Sequence, residues 1–183
     1  MDRIAVGSAV VECRQGDIVD QPDLEAVVNA ANAELLPGGG VAGAIHRAAG
    51  PGLYAECRRL APIRPGEAVV TGGHRLPNRF VIHCLGPVYG ADLPSEALLS
   101  SCYRNALRLA RERGVRSVGF PAISAGVFGY PMREAARAAI GTVCAELEPP
   151  SSVVLVRFVL YDLAALRLYE QELAGGRTGK RDH

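Results

Sequence analysis

Lysine and long hydrophobic segments are what this sequence has least of. Among its 20 lysine and arginine residues only Lys180 is a lysine, which excludes a phosphate-loop lysine and argues against Schiff-base or lysine-base chemistry. No run of about 18 apolar residues is present, and residues 1–19 carry acidic side chains without an extended apolar segment. The sequence therefore predicts neither a membrane span nor a signal peptide, and we expect a cytoplasmic protein.

Metal-binding and disulfide patterns are also missing. The five cysteines are scattered and include no Cys-x-x-Cys pair, so we interpret them as reduced, mostly buried thiols. No His, Asp or Glu arrangement has metal-ligand spacing, and we expect neither a metal nor a cofactor. A formal net charge of +1 gives no basic stripe, so no nucleic-acid-binding face is expected.

The chain has room for one domain. Its 183 residues fit a single unit of ordinary size, which we assign to residues 1–174. Residues 175–183 are small, polar and charged, and we interpret them as a disordered tail.

Short apolar, β-branched runs alternate with segments of helical periodicity. Strands are predicted over residues 9–13, 26–29, 67–71, 79–85, 117–120 and 153–160. Several are apolar without alternation, which is typical of a sheet covered on both faces. Helices are predicted over residues 93–113, 132–147 and 162–173, with a helix-like run at 44–49. The predicted fold class is α/β, a three-layer α/β/α sandwich with a mixed, largely parallel central sheet.

Two glycine-rich loops follow predicted strands, where such folds bind ligands. The first, residues 38–43, precedes the helix-like run, so its backbone N–H groups could face an anion; a flexible turn is the alternative. A dinucleotide fingerprint requires its glycines directly after the strand and an acidic residue about 20 positions later. Here Asn32 to Pro37 separate the loop from the strand, and arginines occupy the later positions, so the loop is not such a fingerprint. The second loop, residues 121–131, carries Ser124; a serine hydrolase triad would need His183 from the tail and is set aside. Two such loops suit a pyrophosphate.

Polar residues at strand ends complete the candidate site. Of Asn29 and Asn32, we expect one to hold a ribose hydroxyl pair and the other to cap the following turn. Asp17, just past the first predicted strand, could accept from an exocyclic amine or serve only as a turn residue. His46 and His83 are interpreted as structural.

Five sequence words in this order resemble the macro domain family, over residues 16–173. They are GDIV at 16–19, VVNAAN at 27–32, GGGVAGAIHRAAG at 38–50, RFVIHCLGPV at 79–88 and FPAISAGVFGYP at 120–131. HRAAG and FGYP are most similar to the MacroD-like class, which removes mono-ADP-ribose from acidic side chains and deacetylates O-acetyl-ADP-ribose. The resemblance implies an ADP-ribosyl hydrolase whose partners are ADP-ribose, O-acetyl-ADP-ribose and ADP-ribosylated proteins.

The resemblance also implies roles for individual residues. Asp17 would take the adenine amino group, the Ile18 backbone would contact the ring, and Tyr161 would form an aromatic wall beside it. The pyrophosphate would be wrapped from two sides, by Gly39, Gly40 and Val41 and by Ser124, Ala125, Gly126 and Val127.

At the distal ribose, Asn32 would hold the sugar and is the catalytic candidate, with Phe128 packing under it and Tyr130 bordering the pocket. Without the resemblance, Phe128 and Tyr161 could equally be core aromatics. Close relatives carry an aspartate, held to orient the attacking water, where this chain has Ala42. Some viral and archaeal-type macro domains share this alanine and are nevertheless associated with hydrolysis. The alternative function is a non-catalytic ADP-ribose reader; an RNA or poly(ADP-ribose) module would need a basic, aromatic surface that the composition lacks.

Overall fold

A computed structural model of the chain describes residues 2–176, and within them seven strands form one sheet. The strands are β1 (Arg3–Val6), β2 (Ala9–Gln15), β3 (Ala26–Ala30), β4 (Ala68–Gly72), β5 (Phe80–Cys84), β6 (Ser117–Phe120) and β7 (Leu155–Leu160). Their order across the sheet is β1-β2-β7-β6-β3-β5-β4. The five central strands are parallel, whereas β1 and β4 at the edges are antiparallel to their neighbours. The predicted mixed, largely parallel sheet is confirmed.

Helices cover both faces of this sheet. They are α1 (Gly40–Ala49), α2 (Pro51–Cys57), α3 (Ser95–Glu112), α4 (Met132–Leu147) and α5 (Leu163–Gly175). Val28 and Ile82 face the core formed with α3, α4 and α5, while their neighbours Val27 and Val81 face the core formed with α1 and α2. Adjacent residues of one strand thus enter opposite cores, which explains the continuous apolar runs and confirms the three layers. None of these helices in the described range has the length and hydropathy that a membrane span requires.

The sequence periodicity does not predict two short elements, β1 and α2. β1 has four residues and pairs only with β2, and α2 has seven residues beginning at Pro51. Elements of this length show too few repeats for a periodic signal. At the other end, α5 includes Gly175, one residue past the boundary predicted at residue 174. The disorder predicted for the remainder of the tail, from residue 177 onward, lies outside the described residues.

Four of the five cysteines are buried and form no disulfide: Cys13, Cys57, Cys84 and Cys102. Burial raises the pKa of Cys57 to about 11 and that of Cys102 to about 12. Because the thiolate is the reactive form, these side chains act as small apolar residues of the core.

A buried arginine ties β7 to β2 and to the segment after β2. Arg157 is 3% exposed, and its Nε donates to Glu12 Oε1 at 2.7 Å. Its terminal nitrogens donate to both carboxylate oxygens of Asp23, at 2.9 and 2.7 Å, and to Gln21 Oε1 at 2.9 Å. Gln21 in turn donates to the carbonyl of Asp17 at 2.9 Å. This network therefore fixes the backbone that carries a candidate site residue.

We expect Arg157→Met to lower the free energy of unfolding by about 3 to 5 kcal/mol, because it removes the buried 2.7 Å partner of the Glu12 carboxylate and leaves only the more distant, exposed Arg14. Arg14→Met is the matched control: Arg14 contacts the same Glu12 at 3.4 Å but its side chain is 57% exposed, so its loss should cost less than about 1 kcal/mol. Urea denaturation measures both variants. Equal losses would contradict a special role for the buried arginine.

The same comparison has a pH dependence. The hydrogen bond from Arg157 lowers the pKa of Asp23 below its ordinary value of 3.8. A carboxyl group with a depressed pKa in the folded state stabilises the fold above its unfolded pKa, and this contribution is lost as the pH falls through the folded pKa. The difference between wild type and Arg157→Met should therefore shrink below about pH 4.

Candidate functional site

The five parallel strands end at one edge of the sheet, and the loops that leave them there border a cleft. The register pairs Gln15 at the end of β2 with Leu160 at the end of β7, and Ala30 at the end of β3 with Cys84 at the end of β5. In parallel sheets covered by helices, ligands bind in the crevice outside this edge.

Two adjoining pockets make up the cleft. The first has a volume of about 460 Å³, and its lining includes Asp17, Ile18, Ala44, Arg47, Tyr161 and Asp162. The second has a volume of about 340 Å³, and its lining includes Ala31, Gly39, Gly86, Ser124, Gly126, Val127 and Phe128. Gly40, Val41 and Ala122 line both pockets. The pockets therefore meet where the two glycine-rich loops face each other.

At the outer end of the first pocket, Asp17 combines the two roles that its sequence position allows. One carboxylate oxygen accepts from the Val19 N–H at 3.1 Å, which closes a turn. The other carboxylate oxygen has no partner within the described residues and stands at an exposed position of the pocket lining. Ile18 is buried beside it, and Tyr161 is 84% exposed at the pocket mouth. This end offers an acceptor, an apolar floor and an exposed ring.

Helix α1 begins inside the first glycine loop, at Gly40, earlier than the predicted helix-like run. Its first bond runs from the Gly43 N–H to the Gly39 carbonyl at 3.3 Å, so the N–H groups of residues 40–42 find no acceptor in the described part of the chain. Gly40 has φ +57, a conformation that favours glycine, and a side chain there would meet no protein atom within 4 Å. Free N–H groups at an open helix start suit an anion.

The loop after β6 presents a second row of free N–H groups. The Tyr130 N–H donates to the Ser124 carbonyl at 3.0 Å and closes the loop, while the N–H groups of residues 125–128 have no acceptor among the residues described. Ser124 adopts φ +65, and its buried hydroxyl has no hydrogen-bond partner there. A Cβ at Gly86 would overlap the Ser124 oxygen, so the loop can lie in this position only because residue 86 is glycine.

Arg47 is a lining residue that the sequence reasoning missed. It lies two helical turns beyond Gly40 on the α1 face that lines the first pocket. A Cβ added to Gly43 would lie 3.0 Å from Arg47 Nη1 and would also contact the Gly38 carbonyl. The guanidinium and the glycine loop are therefore close to the same point. The side chain thus folds back toward the glycine loop, and within residues 2–176 its guanidinium forms no ion pair. The seven-residue spacing from Gly40 is the sequence signal that could have revealed it.

The two asparagines of VVNAAN have different surroundings. Asn29 is buried and donates from Nδ2 to His83 Nδ1 at 3.1 Å. Asn32 Nδ2 donates to the Leu36 carbonyl at 2.8 Å, and the Leu36 N–H donates to Asn32 Oδ1 at 2.9 Å. A Cβ added to Gly38 would lie 3.5 Å from Asn32 Nδ2. Asn32 therefore caps the turn, as one of the pair was expected to do. It also stands beside the glycine loop with one N–H and one acceptor position left over.

Both helix and strand histidines are buried. His83 Nε2 lies 2.9 Å from Thr71 Oγ1, and burial lowers its pKa to about 3. Burial also lowers the pKa of His46. Neither residue is part of the lining of the two pockets, and both are neutral at physiological pH.

Three predicted site residues stand outside both linings, Asn32, Ala125 and Tyr130. Tyr130 is 5% exposed and packs against Tyr89 with ring centroids 4.8 Å apart, so it supports the loop from behind. Ala42, where the resemblance implies an aspartate, is also buried. The second pocket has no ionisable residue in its lining.

In sequence and structure this chain is similar to macro domains. A family model described as Macro domain matches residues 28–139. A macro domain-containing protein of Streptomyces griseus is 49% identical over 173 residues, covering 91% of this chain and 96% of that protein. The Oceanobacillus iheyensis macrodomain with ADP aligns with a TM-score of 0.92 and 38% identity, over 97% of this chain and 96% of that chain. The Trypanosoma brucei macrodomain in complex with ADP-ribose aligns with a TM-score of 0.82 and 40% identity, over 88% of this chain and 68% of that chain. The chain therefore belongs to the macro domain family.

Proposed function

We propose that this macro domain binds ADP-ribose across the two pockets and hydrolyses an ester at its distal ribose. One observation carries the binding: two separate rows of unbonded backbone N–H groups, at residues 40–42 and 125–128, border the junction of the pockets. A diphosphate presents negative oxygens to both rows. The similar macro domains that bind ADP and ADP-ribose support this choice of ligand.

The adenine end of the ligand belongs in the first pocket. The unbonded carboxylate oxygen of Asp17 can accept from the adenine amino group, and the Ile18 N–H, which has no acceptor among the described residues, can donate to a ring nitrogen. Tyr161 offers its exposed ring as a wall beside the base. With adenine at this end, the diphosphate spans the shared residues Gly40 and Val41, and the distal ribose reaches the second pocket.

The distal ribose would lie against Phe128, with Asn32 offering its remaining donor and acceptor to the sugar hydroxyls. The ester is either an O-acetyl group or the link to an Asp or Glu of an ADP-ribosylated protein. We propose that this reaction takes place in the cytoplasm, where free thiols stay reduced.

The reaction would depend on positioning, since the second pocket offers no acid or base of its own. A water beside the diphosphate adds to the ester carbon, and its proton passes to a phosphate oxygen of the substrate. The ester C–O bond breaks, and the ribose oxygen takes that proton. Holding ribose, phosphate and water in one geometry supplies the rate enhancement.

A non-catalytic reader is the second candidate, and Ala42 favours it. The buried alanine supplies no carboxylate where the resemblance implies one. A reader would need only the two rows of N–H groups and the adenine contacts.

The binding proposal is tested by calorimetric titration. We expect ADP-ribose to bind with micromolar affinity or tighter, and AMP at least about tenfold more weakly, because AMP lacks the second phosphate. Gly40→Glu should abolish binding, since its carboxylate enters the open cleft and repels the diphosphate. Gly114→Glu is the matched control, because Gly114 also has a positive φ and open space but follows α3. Equal binding of AMP and ADP-ribose would place the phosphates elsewhere.

Arg47→Gln should weaken ADP-ribose binding roughly two- to fivefold at low salt, the scale of an exposed ion pair. The loss should fade at high salt because exposed charges are screened, and adenosine binding should not change. Arg104→Gln on α3, across the sheet from α1, is the control. An Arg47 variant with wild-type salt dependence would show that the guanidinium does not face the phosphates.

Single-turnover hydrolysis of a glutamate-linked mono-ADP-ribosylated protein separates the enzyme from the reader. Wild type should turn over, and Asn32→Ala should lose turnover. Ala42→Asp should raise the rate of turnover on the order of tenfold. A positioned acid or base usually accelerates a reaction more than this, but the new carboxylate lacks supporting contacts. Thermal stability and ADP-ribose affinity serve as controls, since Asn32 also caps a turn. Tight ADP-ribose binding without turnover in wild type would leave the reader as the function.

A further inference from the structure

Within residues 2–176, five of the eight exposed large apolar side chains stand on the three loops that contribute to the lining of the second pocket. We define the apolar rim as the five that stand on the loops closing this pocket: Leu36, Val88, Tyr89, Leu93 and Val127. Val127 is 101% exposed and Leu93 is 72% exposed. Elsewhere in residues 2–176 the comparably exposed large apolar residues are Leu60, Tyr161 and Leu163. Such a concentration on a soluble domain marks an interaction surface.

Three residues of the apolar rim adjoin the lining of the second pocket. Val127 is itself a lining residue, and Val88 follows the lining residue Gly86 by two positions. The Tyr89 N–H donates to the carbonyl of Phe128, another lining residue, at 2.9 Å. A group at the mouth of the second pocket therefore lies next to Val88, Tyr89 and Val127.

Hydrogen bonds and ring packing hold the rim in place before any ligand arrives. The Val88 N–H donates to Asp92 Oδ2 at 2.8 Å, and the Gly90 N–H donates to Ser95 Oγ at 3.2 Å. Tyr89 packs on Tyr130 with ring centroids 4.8 Å apart. A surface ordered in advance loses little conformational freedom when it binds.

The loops that carry the rim have charge of one sign. Residues 31–39, 86–94 and 121–130 contain two carboxylates, Glu34 and Asp92, and no lysine, arginine or histidine. Like charges disfavour an acidic partner. The chemistry that fits is apolar and either neutral or basic.

We propose that the apolar rim is the docking surface for the polypeptide that carries the ADP-ribose, and that it selects targets with apolar, non-acidic residues beside the modified side chain. This inference rests on the proposed function. With adenine in the first pocket, the distal ribose and its link to the protein stand at the rim end of the cleft. Because the link tethers the flanking residues there, even a small apolar contact adds to the affinity.

The test uses peptides that carry ADP-ribose through one non-hydrolysable linkage and differ only in their flanks, which are Leu and Val, Gly and Ser, or Asp. Wild type should bind the apolar-flanked peptide roughly tenfold more tightly than the Gly/Ser peptide, and the Asp-flanked peptide most weakly. The double variant V88S/L93S should lose this preference while binding free ADP-ribose within about twofold of wild type. Leu60→Ser is the matched control, an exposed leucine outside the three loops, and should keep the preference.

Each outcome separates the two proposals. If wild type binds free ADP-ribose but shows no flank preference, or if Leu60→Ser removes the preference as well as the double variant does, the rim proposal is overturned and the binding function stands. If wild type does not bind ADP-ribose, both proposals are overturned. Sedimentation of the proteins without ligand tests whether a second copy of the chain occupies the apolar rim. A wild-type oligomer that dissociates in V88S/L93S would show this and would also overturn the proposal.

Discussion

Five parallel strands must end at the same edge of their sheet, and every part of the candidate site depends on that constraint. Parallel neighbours require a crossover connection, so the loops leaving β3 and β6 lead directly into α1 and α4, whose first turns start at this edge. The same edge receives Asp17 after β2, Gly86 after β5 and Tyr161 after β7. Residues far apart in sequence are thus brought together by the strand ends and not by contacts between their side chains.

What converges there is mainly backbone. The N–H groups of residues 40–42 and 125–128 point from loops whose conformations depend on glycine, directly at Gly40 and indirectly at Gly86, which leaves room for Ser124. A chain without a phosphate-loop lysine can therefore still present donors to an anion from its main chain. Arg47 adds one long-range charge to this array, while the hydrogen bonds that fix a diphosphate would come from the main chain.

Much of this arrangement could be predicted from the sequence, because it follows from periodicity and from glycine positions. The apolar runs predict the parallel strands, and α4 has the predicted bounds of 132–147. The partner of Arg157 could not be predicted in this way: Glu12 stands opposite it only because β2 and β7 are parallel neighbours in that register. The division of roles between Asn29 and Asn32 is equally hidden, since it depends on where β3 ends and on the position of His83 in the next strand.

A site built on main-chain N–H groups has a consequence for selectivity. In the proposed complex these groups would contact the diphosphate, and Asp17 and Tyr161 would face the adenine, so both sets would meet parts of the ligand that every ADP-ribosylated protein shares. Selectivity is a difference between two affinities, and contacts common to all targets cancel in that difference. Only side chains that touch the polypeptide itself can distinguish one target from another. Because the second pocket is lined without any charged group, the proposed function leaves that task to the loops around its mouth, which carry exposed apolar side chains and two carboxylates.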